Sequence, residues 1–513
     1  MNYKKLLGGL IALAAMLTIW AYSTPIASGP DDDFHIQSAF CAHGDRPNIC
    51  IKTPFEGYYY LPNQIVNAYE CQVDIGPSCL SSKSPDEKNL VMSPTNRVNA
   101  GMKFYPNLYY SIEGLVINSN VESSIFRMRL LNIAVVMTLL SATYLSVSKR
   151  LKRALIGTFA LGVTPVCLWV FASNNPSSWA IIGSLTYFVN LMNLFGSDSK
   201  NKNFSLTVLI FSAVIAVDAR SDAALGLILI TGVWILCQLK WGNIAQNKVR
   251  IKFFVGSTIA YMATRLLSVR QSQMLVDSNV NVLDGNYLLN LIHNIESLPD
   301  LFLGNFAISI SSISEGSWRF LGGVARLNVA IPSVVGIFYL VVLSTAVTGS
   351  IKTIDRANKS FLQIVFVIIA GGALWLLQIN DSTVGNLVQP RYLLPLLLIW
   401  LAATFSCWPS NFMPFWIKKK GIFVFFASCA NTIAVNAVVN FYSSGFNSAI
   451  PGANHIYWSQ FFAPSAIELT LLSLVFSAIW YNYCYEAILP ISLITPEKTR
   501  LPSSTNNLRE FGF

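Results

Sequence analysis

Long uncharged apolar runs recur along the chain, separated by short polar breaks. Leu130–Ser148, Leu327–Ile351, Ser360–Asn380 and Tyr392–Ile417 each have the length and character of a single membrane-crossing helix, which needs roughly 20 apolar residues. Two longer runs must turn back on themselves. Ala154–Gly196 is interrupted by SNNPSS, and Gly421–Ile467 is interrupted around Ser443–Asn454, where Gly, Ser, Asn and Pro gather. Lys4 and Lys5 precede a first apolar run from Leu6 to Tyr22. It reads as an uncleaved span, because Thr24-Pro25-Ile26-Ala27-Ser28 is a weak cleavage signal; a signal peptide is the alternative. Phe204–Val217 and Phe253–Thr264 are marginally long, with Asp218, Arg220, Asp222 and Arg265 at their ends, and read as tilted or snorkelling spans.

Composition agrees with this pattern. Of 513 residues 53% are hydrophobic and 12% charged, and the mean hydropathy is +0.50. The expectation is an all-α polytopic membrane protein with about 12 transmembrane helices. The formal charge of +10 does not call for nucleic acid. KRLKR at 149–153, KKK at 418–420 and the Lys240–Lys252 segment lie between apolar runs and read as cytoplasmic loops under the positive-inside rule. Twelve spans place both termini in the cytoplasm. Of the acids, Asp198, Asp355, Glu486, Glu497 and Glu510 then lie inside, whereas His35, His43, His293 and His455 all lie outside.

The expected division is a first helix over 1–24, an outer loop over 25–124, helices 2–7 over 125–268, a second outer segment over 269–326, helices 8–12 over 327–489 and a polar cytoplasmic tail over 490–513. In the second outer segment Leu288, Ile292, Ile295 and Leu298 recur at helical spacing, and LFLGNFAISI follows, apolar but too short to span; the pair reads as an interfacial helix with a dip into the membrane surface. The first outer loop carries Cys41, Cys50, Cys71 and Cys79. Four cysteines in an extracytoplasmic loop most economically form two disulfides, with three possible pairings; no CxxC pair suggests zinc.

The candidate chemistry begins at Gly29–His35, GPDDDFH. Three carboxylates and an imidazole where a span meets water can take a proton from a hydroxyl or hold a divalent cation, Mg or Mn, through Asp31 and Asp32. The same residues also suit a helix cap. In a helix, Asp31 and His35 would share a face. DARSDA at 218–223 and QPRYLLP at 389–395 sit at the outer ends of other spans. Arg220, Arg391 and Tyr392 can there hold a phosphate, although Arg220 can equally pair with Asp218 or Asp222.

Several patches, in order along the chain, resemble the bacterial DUF2142 family of membrane proteins, which belongs with the GT-C type glycosyltransferases. Pro30-Asp31-Asp32 with His35 resembles a P-D-E-x-x-H element, followed by Gly44; FYPNLYY at 104–110, RLLN at 129–132 and PRYLLPLL at 390–397 resemble later elements. Asp32 stands where glutamate is usual, Asp33 replaces a proline and Pro390 replaces a glycine. The resemblance implies an integral membrane glycosyltransferase in a bacterial inner membrane, taking a sugar from a polyprenyl-phosphate donor to an envelope glycan or lipid acceptor on the outer face. For that chemistry the residues themselves offer Asp31, Asp32 and His35 as catalytic candidates and Arg220, Arg391 and Tyr392 as donor-phosphate ligands. A lipid-linked glycan flippase, an O-antigen polymerase or ligase and an assembly protein are the rival classes.

Overall fold

A computed structural model of the full chain describes residues 3–26, 31–66, 91–102, 104–196, 201–241, 256, 258–264, 287–306, 331–351, 354–380, 389–408, 419–444 and 464–488. Helix α1 (Tyr3–Tyr22) leads into a small region formed by α2 (Asp32–Phe40), β1 (Ile51–Lys52), β2 (Tyr59–Pro62), α3 (Asn63–Val66), β3 (Met92–Thr95), α4 (Asn99–Met102) and α5 (Asn107–Gly114). The bundle continues with α6 (Val121–Ser146), α7 (Lys149–Gly162), α8 (Pro165–Phe171), α9 (Ser177–Phe195), α10 (Lys202–Ala219) and α11 (Ser221–Trp241). It is completed by α12 (Tyr287–Leu303), α13 (Ser333–Ile351), α14 (Arg356–Asn380), α15 (Leu394–Ser406), α16 (Lys420–Ser444) and α17 (Ala466–Ile488).

Among the described residues nine helices are long and apolar enough to cross a membrane, and the bent pair α7–α8 makes a tenth span if counted as one. Pro390–Ser406 is a shorter apolar helix, and the expected span Phe253–Thr264 is helical over 258–264 where it is described. The chain is therefore an all-α polytopic membrane protein, with nine or ten full spans among the described residues. Apolar side chains such as Ile11, Leu229, Leu236, Phe366, Val367 and Phe425 are exposed on the outside of the bundle, as contact with lipid requires.

The run 154–196 turns back at SNNPSS as its residues suggest, but it also breaks earlier. Helices α7 and α8 meet at 103° across Gly162-Val163-Thr164, with Pro165 at the start of α8. Proline cannot supply the N–H that would continue α7 and disfavours helix in the residue before it. The break is stitched to the rest of the fold: Thr164 Oγ1 donates to the Asn305 carbonyl at 2.7 Å, and Asn305 Nδ2 donates to the Pro390 carbonyl at 3.0 Å. The apolar dip after α12 is thus an internal 3-10 turn, Gly304–Phe306, beneath the 390 segment. On α12 itself Ile292 and Ile295 are exposed, while Asn294 bonds Gln378 of α14 at 2.9 Å.

Helix α9 is almost wholly buried and organises its neighbours through amides that apolar surroundings make costly to leave unpaired. Asn190 bonds Thr143 at 3.1 Å and accepts from Ser146 at 2.6 Å, and Asn193 donates to Ser205 at 2.7 Å. Gly183 lets α10 approach closely, since a Cβ there would lie 2.8 Å from the Ser212 carbonyl. A second network joins α1, α16 and α17. Trp20 Nε1 donates to Asn431 at 3.1 Å, and Asn431 donates to Ser477 at 2.8 Å.

The two ends of the bundle differ in chemistry. Lys5 of α1 and Lys420 of α16 both bond Glu486 of α17, at 2.9 and 2.8 Å, so these three helix ends share one side. Asp31, Arg220 and Arg391 gather at the other. There a three-stranded antiparallel sheet, β1-β2-β3, and the Cys41–Cys50 disulfide brace α2. Cys71 and Cys79, the loop carrying His455, the tail from 490 and the side chain of His293 lie outside the described residues.

Candidate functional site

The site is built on α2. After α1 the chain returns at Asp31, whose φ of 55° is left-handed; aspartate tolerates this conformation better than most residues. Asp31 caps α2, and its carbonyl accepts the N–H of His35 at 3.1 Å. Asp32 and Asp33 point about 100° apart on the helix and the left-handed Asp31 precedes it, so the three acids diverge and each meets a different arginine.

Asp31 pairs with Arg391. Its side chain is 40% exposed, whereas that of Arg391 is 1% exposed. Burial pushes the Asp31 carboxyl up, but Arg391, His35 and Arg220 outweigh it and hold the carboxyl below the ordinary aspartate value. Asp32 is sealed inside. It lies 3.5 Å from Arg129, with both side chains 0% exposed, and accepts the Asn174 N–H at 3.0 Å. Arg129 in turn closes the end of α1, donating to the carbonyls of Ala21, Thr24 and Pro25 at 2.7, 2.8 and 2.8 Å. Asp33 bonds Arg97 at 2.5 Å, and burial, opposed by Arg97, leaves its carboxyl raised.

The N-terminal end of α15 supplies the other half. Arg391 and Tyr392 lie on a 3-10 turn, Pro390–Leu393. The Tyr392 ring carries Arg220 on its face at 4.6 Å and Arg391 at 5.3 Å, both within cation–π range. Arg220 forks onto Asp222 with bonds of 2.9 and 2.7 Å and reaches Ser177 Oγ at 3.0 Å. Of the two acids open to it, Asp222 is the partner; Asp218 accepts from Tyr261 instead. The structure thus brings together Asp31, His35, Arg220, Arg391 and Tyr392, and places Asp32 behind them.

His35 is buried. Its Nδ1 lies 2.8 Å from the Tyr110 hydroxyl, and its ring packs edge-on to Tyr105 at 5.0 Å. Burial, together with Arg220, Arg391 and Arg97 and against the pull of Asp31, pushes the imidazole down to about 3, so it is neutral near pH 7. Tyr105 feels Arg220, Tyr392, Asp31 and Arg391, and burial raises its phenol; it belongs to the same cluster.

The divalent cation expected on Asp31 and Asp32 does not fit this donor set. The two carboxylates face different arginines, and among the described residues no group of three or more His, Cys, Asp or Glu converges on a point. Other residues that hold the site are not among the sequence candidates for its chemistry. Arg129 and Asn132 sit within RLLN, two or so turns inside α6 rather than at its start, because the polar turn VESS is already helical and capped by Asn120, which accepts the Ser123 N–H at 2.9 Å. An arginine inside an apolar run was the available signal. Asn132 accepts Trp179 Nε1 at 2.6 Å and donates to the Ser173 carbonyl at 2.8 Å, fixing the SNNPSS turn. Glu113 on α5 is fully buried, with both carboxyl oxygens unpartnered among the described residues. Burial and the Asp32 charge raise it well above its ordinary value.

Fold and site define a multi-pass helical membrane protein with a charged, arginine-paired aspartate at one mouth of the bundle. The chain belongs to the DUF2142 family, described as a predicted membrane protein, which matches residues 15–400. No curated protein matches it, and no solved structure does.

Proposed function

We propose that the protein is an integral membrane glycosyltransferase of GT-C type, transferring a sugar from a polyprenyl-phosphate donor to an envelope glycan or lipid acceptor on the outer face of a bacterial cytoplasmic membrane. The observation that carries this reading is the Asp31–Arg391 pair: a half-exposed carboxylate on a buried guanidinium, with Tyr392 and Arg220 beside it. A phosphate is a natural competitor for such a guanidinium. When the donor phosphate takes Arg391, Asp31 is released as a carboxylate next to the reacting centre.

The acceptor oxygen then attacks the anomeric carbon, the carbon–oxygen bond to phosphate breaks, polyprenyl phosphate leaves, and Asp31 receives the hydroxyl proton. Arg391 stabilises the charge that develops on the leaving phosphate, and Arg220 holds Tyr392 against it. Direct attack inverts the anomeric configuration. Asp32 acts at one remove, by anchoring α2 to Arg129 and the end of α1.

The test is release of polyprenyl phosphate by the protein in lipid nanodiscs supplied with polyprenyl-phosphate sugars and glycan acceptors. Wild type should release it and Asp31→Asn should not. Movement of the intact donor across proteoliposome membranes without release would instead establish a flippase.

A further inference from the structure

Helices α16 and α17 run antiparallel and meet through a polar seam, where Asn431 donates to Ser473 and Ser477 at 3.2 and 2.8 Å. Toward the Lys420 end they part. Gly421 has no side chain, and a Cβ there would touch nothing within 4 Å; Ala478 on the other helix is small. The space left is a groove of about 420 Å³, walled by Val424 and Phe425 of α16 and by Leu474 and Ala478 of α17. That volume falls within the roughly 300–1,000 Å³ of ordinary ligand sites. Phe425 and Leu474 are 61% and 38% exposed, so the groove opens on the lipid side of the bundle. Ser428 also borders it, but its hydroxyl is spent on the Val424 carbonyl at 2.6 Å. From Lys420 to Ser428 the helix rises about 12 Å, most of one leaflet's share of a hydrocarbon core about 30 Å thick.

The mouth of this groove is positive. Lys420 lines it and shares Glu486 with Lys5, at 2.8 and 2.9 Å. Two ammonium groups on one carboxylate leave a net positive charge. The lysines also reach further out than the acid, with side chains 43% and 60% exposed against 28%. Lys4 and Lys419, both exposed, adjoin them in the chain. An ammonium carries three hydrogens, and a single bond to Glu486 leaves Lys420 able to donate to a second anion.

We propose that this groove binds an anionic phospholipid, with one acyl chain lying between α16 and α17 and the phosphodiester on Lys420. A basic mouth on an apolar slot at a span end is the arrangement that holds an acidic headgroup. The Asn482 amide on the groove wall can donate to an ester carbonyl of the glycerol backbone. A soluble anion would gain nothing from the apolar walls, and a zwitterionic lipid offsets its phosphate with its own cation. The site lies at the end of the bundle away from Asp31 and does not depend on the transferase reading.

The experiment is native mass spectrometry of the full-length protein in detergent, offered phosphatidylglycerol and phosphatidylcholine with the same acyl chains. A phosphatidylglycerol adduct should survive gas-phase activation that strips phosphatidylcholine, and should be retained several-fold more. Lys420→Gln should abolish that preference while leaving Lys5 on Glu486, and Lys420→Arg should keep it. Gly421→Leu, which fills the groove from an open position, should also lose the adduct; melting temperatures near wild type show that the variants are folded. Equal retention of the two lipids in the wild type would mean ordinary boundary lipid and overturn the proposal. So would a preference that survives both Lys420→Gln and Gly421→Leu, which would put the headgroup elsewhere. Displacement by glycerol 3-phosphate would reduce the site to one for free phosphate, and stronger retention of polyprenyl phosphate at the same residues would assign it to a different lipid; either result also overturns it.

Discussion

At the scale of single residues, three adjacent aspartates have three different arginine partners, because a left-handed cap followed by a helix points them apart. Asp32 and Arg129 are both fully buried, and breaking one side of such a pair costs about 3–5 kcal/mol, since the remaining charge is stranded. Asp32→Asn should therefore lower the melting temperature in detergent markedly, whereas Asp31→Asn, which removes a half-exposed carboxylate from the buried Arg391, should lower it less. Glu113 gives a pH dependence of known sign. Its folded value lies above the ordinary 4.5, so the folded protein holds this proton more tightly than the unfolded chain. Its contribution is fully present below 4.5 and is lost as pH rises through the folded value. Melting curves of Glu113→Gln should show a flatter dependence on pH above 4.5 than wild type. GPDDDFH names Asp31 and His35 together, but Asp31 precedes the helix on which their four-residue spacing would have placed both. The roles of Arg129, Tyr110 and Glu113 were not legible in the sequence, because each depends on a partner distant in the chain.

At the scale of elements, apolar length alone located most helices but not the break between α7 and α8. The run through Gly162 and Pro165 stays hydrophobic, so hydropathy does not register the 103° bend; proline was the signal. The turn at SNNPSS was legible, whereas its fastening by Asn132 was not. Gly183→Leu should push α9 from α10, because the Ser212 carbonyl and Ala216 occupy the space a side chain needs; membrane abundance of the variant should fall several-fold. The Cys41–Cys50 bridge closes a short loop, with a sequence separation of 9, and loop-closure entropy assigns such a bridge about 2–3 kcal/mol. Cys41→Ser with Cys50→Ser should loosen α2 and speed proteolysis of the outer region in intact spheroplasts. Pairing of Cys41 with Cys50 was one of three open alternatives from sequence.

At the scale of the whole molecule, the ion cluster of Lys5, Lys420 and Glu486 and the site around Asp31 mark opposite sides. In the proposed orientation, which follows the positive-inside rule, the first side is cytoplasmic. Cysteines introduced at Glu56, in the outer region, and Lys149, at the start of α7, both exposed, should separate in labelling: the first reacts with an impermeant maleimide in intact cells, the second only after permeabilisation. Labelling of the two in the opposite order would invert the bundle and place the site in the cytoplasm.

The central claim is that Asp31 performs chemistry while Asp32 holds the fold. The most direct measurement is complementation of a deletion strain with Asp31→Asn and Asp32→Asn, scoring surface glycan together with membrane abundance of each protein. The account predicts normal abundance and lost glycan for Asp31→Asn, and reduced abundance for Asp32→Asn. Normal glycan with Asp31→Asn at normal abundance would contradict it.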